Sequence, residues 1–322
     1  MTAPYAGEVA RAALRWVRGH RDDFALPADV TDPRTPVDRT LKPLGELAQL
    51  CLSIRRATPP GDERHRVAAE LVDFAWRQTD GGALFLDLLR AEPFATYPLE
   101  IYAAFAEAGL RHPEFERLAG AVLRTRNWRA TEQDPNRRLG ILNTERRSGF
   151  PRTADPAEAL ERTWLGALPE PWSFERPSGY ALTHTVFHLT NWGAAPHAVP
   201  DDLARYLGTW LPAWTDGCLE DQQWDLGCEL LAVAASLPEP SDPPPETAGA
   251  ARESDESVWA RIAEAQDEHG GLPEVGGRPR DFIHCYHSTL VAAFAATLTT
   301  ERTAPPPRTA PLTTEPLDGA RT

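Results

Sequence analysis

Three residues define the chemistry this sequence could do: His184, Cys228 and His287. The second half of the chain holds three similar segments, 157–193, 200–237 and 257–298. Aligning them puts those residues at one equivalent position, near the start of the second helix of each segment. One turn earlier stand Ala181, Asp225 and His284, so Asp225 shares a helix face with Cys228, and His284 with His287. His188 lies one turn beyond His184. If the second helices run parallel around a common centre, imidazoles, a sulfur and a carboxylate converge there. These are zinc-ligand types, and a catalytic site uses three of them with a fourth position open. A bound ion would acidify a water or thiol substrate at neutral pH. We therefore expect Asp225, Cys228 and His287 as metal ligands, and His184, His188 and His284 as catalytic acids or bases. The spacings form no metal motif, and the alignment alone carries this expectation. Metal-free arrangements stay open: Cys228 as nucleophile beside a histidine base, or histidines as general acid and base.

Other residues could serve the same centre. Tyr180, Trp192, Trp224 and Tyr286, with Trp172 and Trp214, could line a substrate pocket for an apolar or cationic group; core packing is the plainer use of such rings. Glu220, Asp221, Asp225 and Glu229 could supply a glycosidase-type carboxylate pair, or simply a solvated charge run. The arginines from Arg124 to Arg152 could take phosphate, or pair with acidic neighbours. Cys51 and Cys218 read as small apolar core residues.

The elements that must position these groups are helices. Apolar residues are Ala/Leu-rich and recur at helical spacing, as Leu71, Phe74 and Trp76 do, and strand signals are scarce. Proline and glycine punctuate the chain at intervals. The three segments each read as an amphipathic helix carrying a tryptophan (Trp164, Trp210, Trp259), a polar loop and a more apolar helix. The first half divides similarly: 8–24 with 41–57, then 64–78 and 84–90 with 97–109, then 114–126 with a weak segment at 137–146. Six hairpins result, of roughly 45–50 residues each, within the range of helical repeats. One hairpin cannot bury both faces of its inner helix, so hairpins stack. The expected fold is all-α, an (α/α)6 toroid over residues 1–302 with the apolar helices inside; an open solenoid is the alternative. A Pro/Glu-rich linker is expected at 238–257 and a disordered tail at 303–322.

The formal net charge of −14 argues against nucleic acid as a partner. No basic-then-apolar leader is visible in the first nine residues and no apolar run of membrane-spanning length occurs, so a cytoplasmic protein without membrane partners is expected. The four cysteines show no disulfide framework.

The segment 281–294, with Tyr286-His287-Ser288-Thr289, resembles the zinc-histidine helix of protein prenyltransferase β subunits. Asp225 and Cys228 resemble the aspartate and cysteine that complete that family's site, although the family reads Asp-x-Cys and this chain Asp-x-x-Cys. Gln266 to Gly271 is similar to the Gln…Gly-Gly turn of prenyltransferases and triterpene cyclases. The Asp-x-Asp-Asp of triterpene cyclases and the Cys…Cys-His of lanthionine cyclases, also toroids, are absent. The Thr-His-x-x-Phe-x-x-Thr-x-Trp-Gly stretch at 183–193 looks like that of an uncharacterised actinobacterial family. The resemblance implies a toroid enzyme, with zinc as its cofactor, performing cyclisation, group transfer or hydrolysis on a small-molecule or peptide-like substrate of secondary metabolism. Two other readings stand beside it: a non-catalytic helical scaffold that binds protein or peptide, and a metal-free terpenoid-type cyclase.

Overall fold

The computed structural model describes residues 4–32, 34–238, 256–277 and 281–303. Among them the chain is all helical, with no strand. The α-helices are α1 (Pro4–Gly19), α2 (Leu41–Ala57), α3 (Glu63–Gln78), α4 (Ala83–Ala91), α5 (Tyr97–Glu107), α6 (Pro113–Val122) and α7 (Arg126–Thr131). They continue with α8 (Pro135–Arg147), α9 (Pro156–Leu160), α10 (Arg176–Thr190), α11 (Asp201–Glu220), α12 (Trp224–Ala235), α13 (256–265) and α14 (Tyr286–Thr303). Local chemistry starts many of them. Side chains of Asp62, Thr125, Asp134 and Asp155 accept first-turn backbone N–H groups, and a proline opens α6, α8, α9 and α10.

Six helices form an inner layer whose contacts are cyclic: α2 packs on α5, α5 on α8, α8 on α10, α10 on α12, α12 on α14, and α14 on α2. They run parallel. Near their N-termini Arg137 of α8 meets Glu100 of α5, and Asn136 of α8 meets the carbonyl of Ala181 on α10. Near their C-termini Arg56 of α2 and Arg147 of α8 both meet Glu107 of α5. The remaining helices cover this layer, α3 against α2, α4 against α5, α9 against α8 and α11 against α12. The weak segment expected near 137–146 is a full inner helix: Leu139 to Glu145 are buried although α8 carries four arginines at its ends. The tryptophan-bearing first helix expected near Trp164 is not formed. Only the five residues of α9 are helical there, and Trp164 lies in the turns after it. Residues 239–255 of the expected linker, and the tail from 304, lie outside the described residues.

The Gln266…Gly270-Gly271 turn fastens the two chain ends together. Gln266 Nε2 donates to the Gly270 carbonyl, and α1 packs along α14. Gly270 has φ +98°, and a Cβ there would fall 2.2 Å from the Ala12 carbonyl oxygen of α1. A Cβ at Gly271 would meet the Trp16 indole nitrogen at 2.6 Å. Backbone strain and overpacking add at Gly270, so Gly270→Ala is expected to lower unfolding free energy by about 3 kcal/mol. Gly109→Ala is the control. It shares a positive φ of +85° but meets nothing within 4 Å, so urea denaturation is expected to show a loss of only about 1 kcal/mol there.

Candidate metal and acid–base centre

The N-terminal ends of α2, α10, α12 and α14 deliver one cluster of titratable side chains. Asp225 and Glu229 stand four residues apart on α12, hence on one face. They are 7% and 2% exposed at the side chain, in a helix otherwise built of Leu, Val, Ala, Gly, Cys and Trp. His287, in the first turn of α14, points its Nε2 at both: 3.3 Å to Glu229 Oε1 and 3.5 Å to Asp225 Oδ1. Its Nδ1 lies 3.0 Å from Glu46 Oε2 on α2. Lys42 sits 3.8 Å from the other Glu46 oxygen, and the Tyr286 hydroxyl donates to Glu46. From α10, Tyr180 donates its hydroxyl to Asp225 Oδ2 at 2.7 Å, Thr183 donates to Glu229 Oε2, and His184 Nε2 lies 3.9 Å from Glu229 Oε1.

One atom stands out by what it lacks. Asp225 Oδ1 is buried and has no hydrogen-bond partner. A buried acceptor left unmade costs about 1–3 kcal/mol, more when charged, so such an atom calls for a proton or an ion. Burial pushes the Asp225 carboxyl up to about 6, against the pull of His287. Burial would raise Glu229 as well, yet its bond to His287 and the charges of His184 and His287 hold it below the ordinary carboxylate range. Burial disfavours a charged His287, but Glu46 and Asp225 overcome it and push the imidazole well above its usual value. The three groups Asp225, Glu229 and His287 offer ligand atoms all within 4.8 Å of one another, so this buried cluster could hold a metal ion.

The sequence expectation placed some of these residues well and others not. His184 and His287 do meet at one site, through Glu229 rather than through a shared ligand with Cys228. Cys228 is 0% exposed within the hydrophobic core, burial drives its thiol far up, and it is not in the group that could hold a metal. Glu229, one residue further along α12, takes the place expected of it. The reason is angular: the Asp225–Glu229 step keeps to one helix face better than the three-residue step to Cys228 when the face must also meet α14 and α10. His284 is exposed on a 3-10 turn, and its carbonyl accepts the Glu274 N–H, whose own carbonyl accepts from the Asp225 N–H. It is joined to the cluster through backbone and not through its ring. Of the expected pocket aromatics, Tyr180 and Tyr286 brace the cluster by hydrogen bonds. Trp192 stacks on Phe187 at 4.8 Å, and Trp224 donates to the Gly276 carbonyl beside a surface cleft of 910 Å³ that Asp225, Glu229 and His287 do not line. Glu46, Lys42 and Thr183 were not singled out by sequence. The signal was available: Glu46, Gln49, Ser53 and Arg56 mark one polar stripe along an otherwise apolar α2.

His188 lies below His184, its ring centroid 6.3 Å away, and a Cβ on Gly140 of α8 would approach its Nε2 to 2.8 Å. Burial, with the charges of His184, Arg137 and Arg147, lowers it to about 3. The folded chain therefore keeps His188 neutral where the unfolded chain binds a proton. The sign is a loss of stability as pH falls from 6.5 toward about 3. At about pH 5 this amounts to at most about 2 kcal/mol. His188→Gln is expected to flatten this acid limb in urea denaturation compared at about pH 5 and pH 7.5; an unchanged slope would show that His188 titrates normally.

The described helices include none long and apolar enough to cross a membrane. A cyclic inner layer of helices with an acidic, histidine-bearing cluster at its N-terminal end defines the protein in structural terms. The chain belongs to the family described as domain of unknown function DUF6895, which matches residues 10–297, from within α1 to within α14. No curated protein and no solved structure matches it.

Proposed function

We propose that this protein is an α/α-toroid enzyme whose centre is a divalent metal site, zinc in the first instance, held by His287 Nε2, Asp225 Oδ1 and Glu229 Oε1. The observation that carries the reading is Asp225 Oδ1, a buried oxygen that makes no hydrogen bond and lies 3.5 Å from the His287 imidazole nitrogen. Ligand atoms at about 2.0–2.2 Å from a tetrahedral ion stand about 3.4 Å from each other. His287 Nε2 lies 3.3 and 3.5 Å from the two carboxylate oxygens. Charge-assisted hydrogen bonds of that kind are usually nearer 2.7–2.9 Å, so the spacing suits a shared ion better than ion pairing alone. Glu46 on Nδ1 supplies the carboxylate–histidine support that metal-binding imidazoles commonly have and leaves Nε2 free to ligate. Tyr180 and Thr183 hold the far oxygens of Asp225 and Glu229, which aims Oδ1 and Oε1 at the common point.

Charge supports the same conclusion. Glu46, Asp225 and Glu229 bring three negative charges, and Lys42 returns one; a divalent ion with neutral His287 brings the sum to zero. When bound, the ion would polarise a carbonyl or phosphoryl oxygen and acidify a water at neutral pH. His184, 48% exposed at the side chain and beside Glu229, is the free acid or base. It takes a proton from the attacking group and returns it to the leaving group. Hydrolysis or group transfer on a small polar substrate is the chemistry these groups support. Both tyrosines that touch the cluster are spent as hydrogen-bond donors, and among the described residues the hydrogen bonds of the tryptophans go elsewhere, which favours a polar substrate over an isoprenoid one.

A second reading keeps the same residues without metal. Asp225, pushed up to about 6, then exchanges a proton near neutral pH, and the Asp225–His287–Glu229 group acts as general acid and base. Metal analysis of the purified chain separates the two: about one ion per chain supports the metal centre, and less than about 0.2 ions after zinc loading would falsify it.

A further inference from the structure

We propose that the same interior carries a second pole that binds an oxyanion, the carboxylate or phosphate of the substrate, on Arg147 and Arg146. The inference deepens the proposed function by naming a substrate class, and rests on it only for which end of the molecule reacts. Arg147 sits on the inward stripe of α8, and Arg146 next to it is exposed. Asn136 reaches the Ala181 carbonyl and the Thr185 hydroxyl of α10, and Gly140 lies against His188. Arg147 follows seven residues after Gly140, two turns on and about 10 Å further along the axis. There the C-terminal ends of α2, α5, α8 and α10 meet.

Among the side chains named at that end, positive charge exceeds negative. Arg56, Arg146 and Arg147 act on one another electrostatically, and the one carboxylate paired with them is Glu107. Arg56 is engaged at both Nη atoms: it donates to Glu107 and to the carbonyls of Asn191 and Trp192. Arg147 is not. Its side chain is 4% exposed and its Nε donates to Glu107 Oε2 at 2.7 Å, but its Nη2 is buried without a partner. Arg146 is bonded to Asn143 Oδ1 and otherwise exposed. A water would satisfy the Nη2 donor without relieving the repulsion among three guanidinium groups; an oxyanion does both and suits the planar guanidinium fork. The acidic cluster at the other end repels the same anion. A bound molecule is thereby oriented, with its anionic group at Arg147 and its neutral reacting group toward Asp225, Glu229 and His287.

The test uses the full chain after removal of metal by a chelator, titrated calorimetrically with inorganic phosphate and separately with acetate. Saturable binding of one or both is expected. Arg146→Gln should weaken it about fivefold or more, Arg147→Gln should abolish it, and Asp225→Asn should leave it intact or tighter. The better of the two probes identifies the substrate's anionic group. No saturable binding of either probe, or binding unchanged in Arg146→Gln, would overturn the inference, and because Arg146 is exposed that variant decides even if Arg147→Gln fails to fold. Metal absent with phosphate bound would retire the metal centre alone; metal bound with no anion binding would retire this pole alone.

Discussion

Zinc added to the chelator-treated chain is expected to bind at about one ion per chain, and Asp225→Asn and His287→Ala are each expected to weaken binding by a hundredfold or more. Each substitution removes a ligand atom from a group of three that already lie within 4.8 Å of one another. Asp225→Asn keeps the shape but removes the charge and puts an amide NH2 either at the Oδ1 position or against the Tyr180 hydroxyl, so it weakens the ligand without opening a cavity. Glu46→Gln should cost less, about tenfold to a hundredfold, because it loosens the imidazole without removing a ligand. Cys228→Ala should leave stoichiometry and affinity unchanged, since that sulfur is sealed in the core. The pattern matters as much as the size. Equal losses in Cys228→Ala and Asp225→Asn would mean that the ion sits elsewhere.

The same titration has a thermal readout. A ligand bound by the folded chain alone, at a free concentration a hundred times its Kd, adds about 2.7 kcal/mol of stability. The melting temperature of the wild type should therefore rise with zinc, and that of His287→Ala should not. Without the ion the cluster holds protonated His287 against Glu46, Glu229 and Asp225, with no hydrogen bond to Asp225 Oδ1, so the metal-free chain keeps the fold at reduced stability.

The order of helices was legible because the driving pattern is simple. A helix buried on all sides must be apolar all round, and α12 and α14 announce themselves that way; their alignment brought Asp225 and His287 to one place. The signal was weak at α8, where arginines at both ends hide a buried middle, and it misjudged the hairpin near Trp164, whose covering helix is only a five-residue turn. The site was legible by helix and not by rung. Repeat alignment fixes a residue's place along a helix to about one turn, while a ligand needs a direction, and one residue turns that direction by 100°. Cys228 and Glu229 differ by that single step, and zinc precedent favoured the sulfur. The polar stripe of α2 marked Glu46 but not its partner: α2 meets α14 only where the cyclic contact order brings the first and last inner helices together.

Glu107 is expected to matter for folding. Its carboxylate accepts from Arg56 Nη1 at 2.8 Å, Arg147 Nε at 2.7 Å and Asn191 Nδ2 at 2.8 Å, so it ties the C-terminal ends of four inner helices. Burial and like charge already hold Arg56 and Arg147 below their ordinary values; Glu107 is what keeps them charged and in place. Glu107→Ala leaves two guanidinium groups with no counter-ion, one of them 4% exposed. Breaking a buried pair in this way costs about 3–5 kcal/mol, and the lower end applies here because Glu107 is itself 23% exposed. Arg66 and Glu70 on α3 form a pair of similar length, 2.9 Å, with both side chains largely in solvent. Glu70→Ala should cost less than about 1 kcal/mol. Chemical denaturation of the two variants compares the same ion-pair chemistry inside and outside the ring. Similar small losses would show that the C-terminal end is open to water and that Glu107 is no anchor; a large loss for Glu107 alone, partly recovered by added phosphate, would also place an anion beside Arg147.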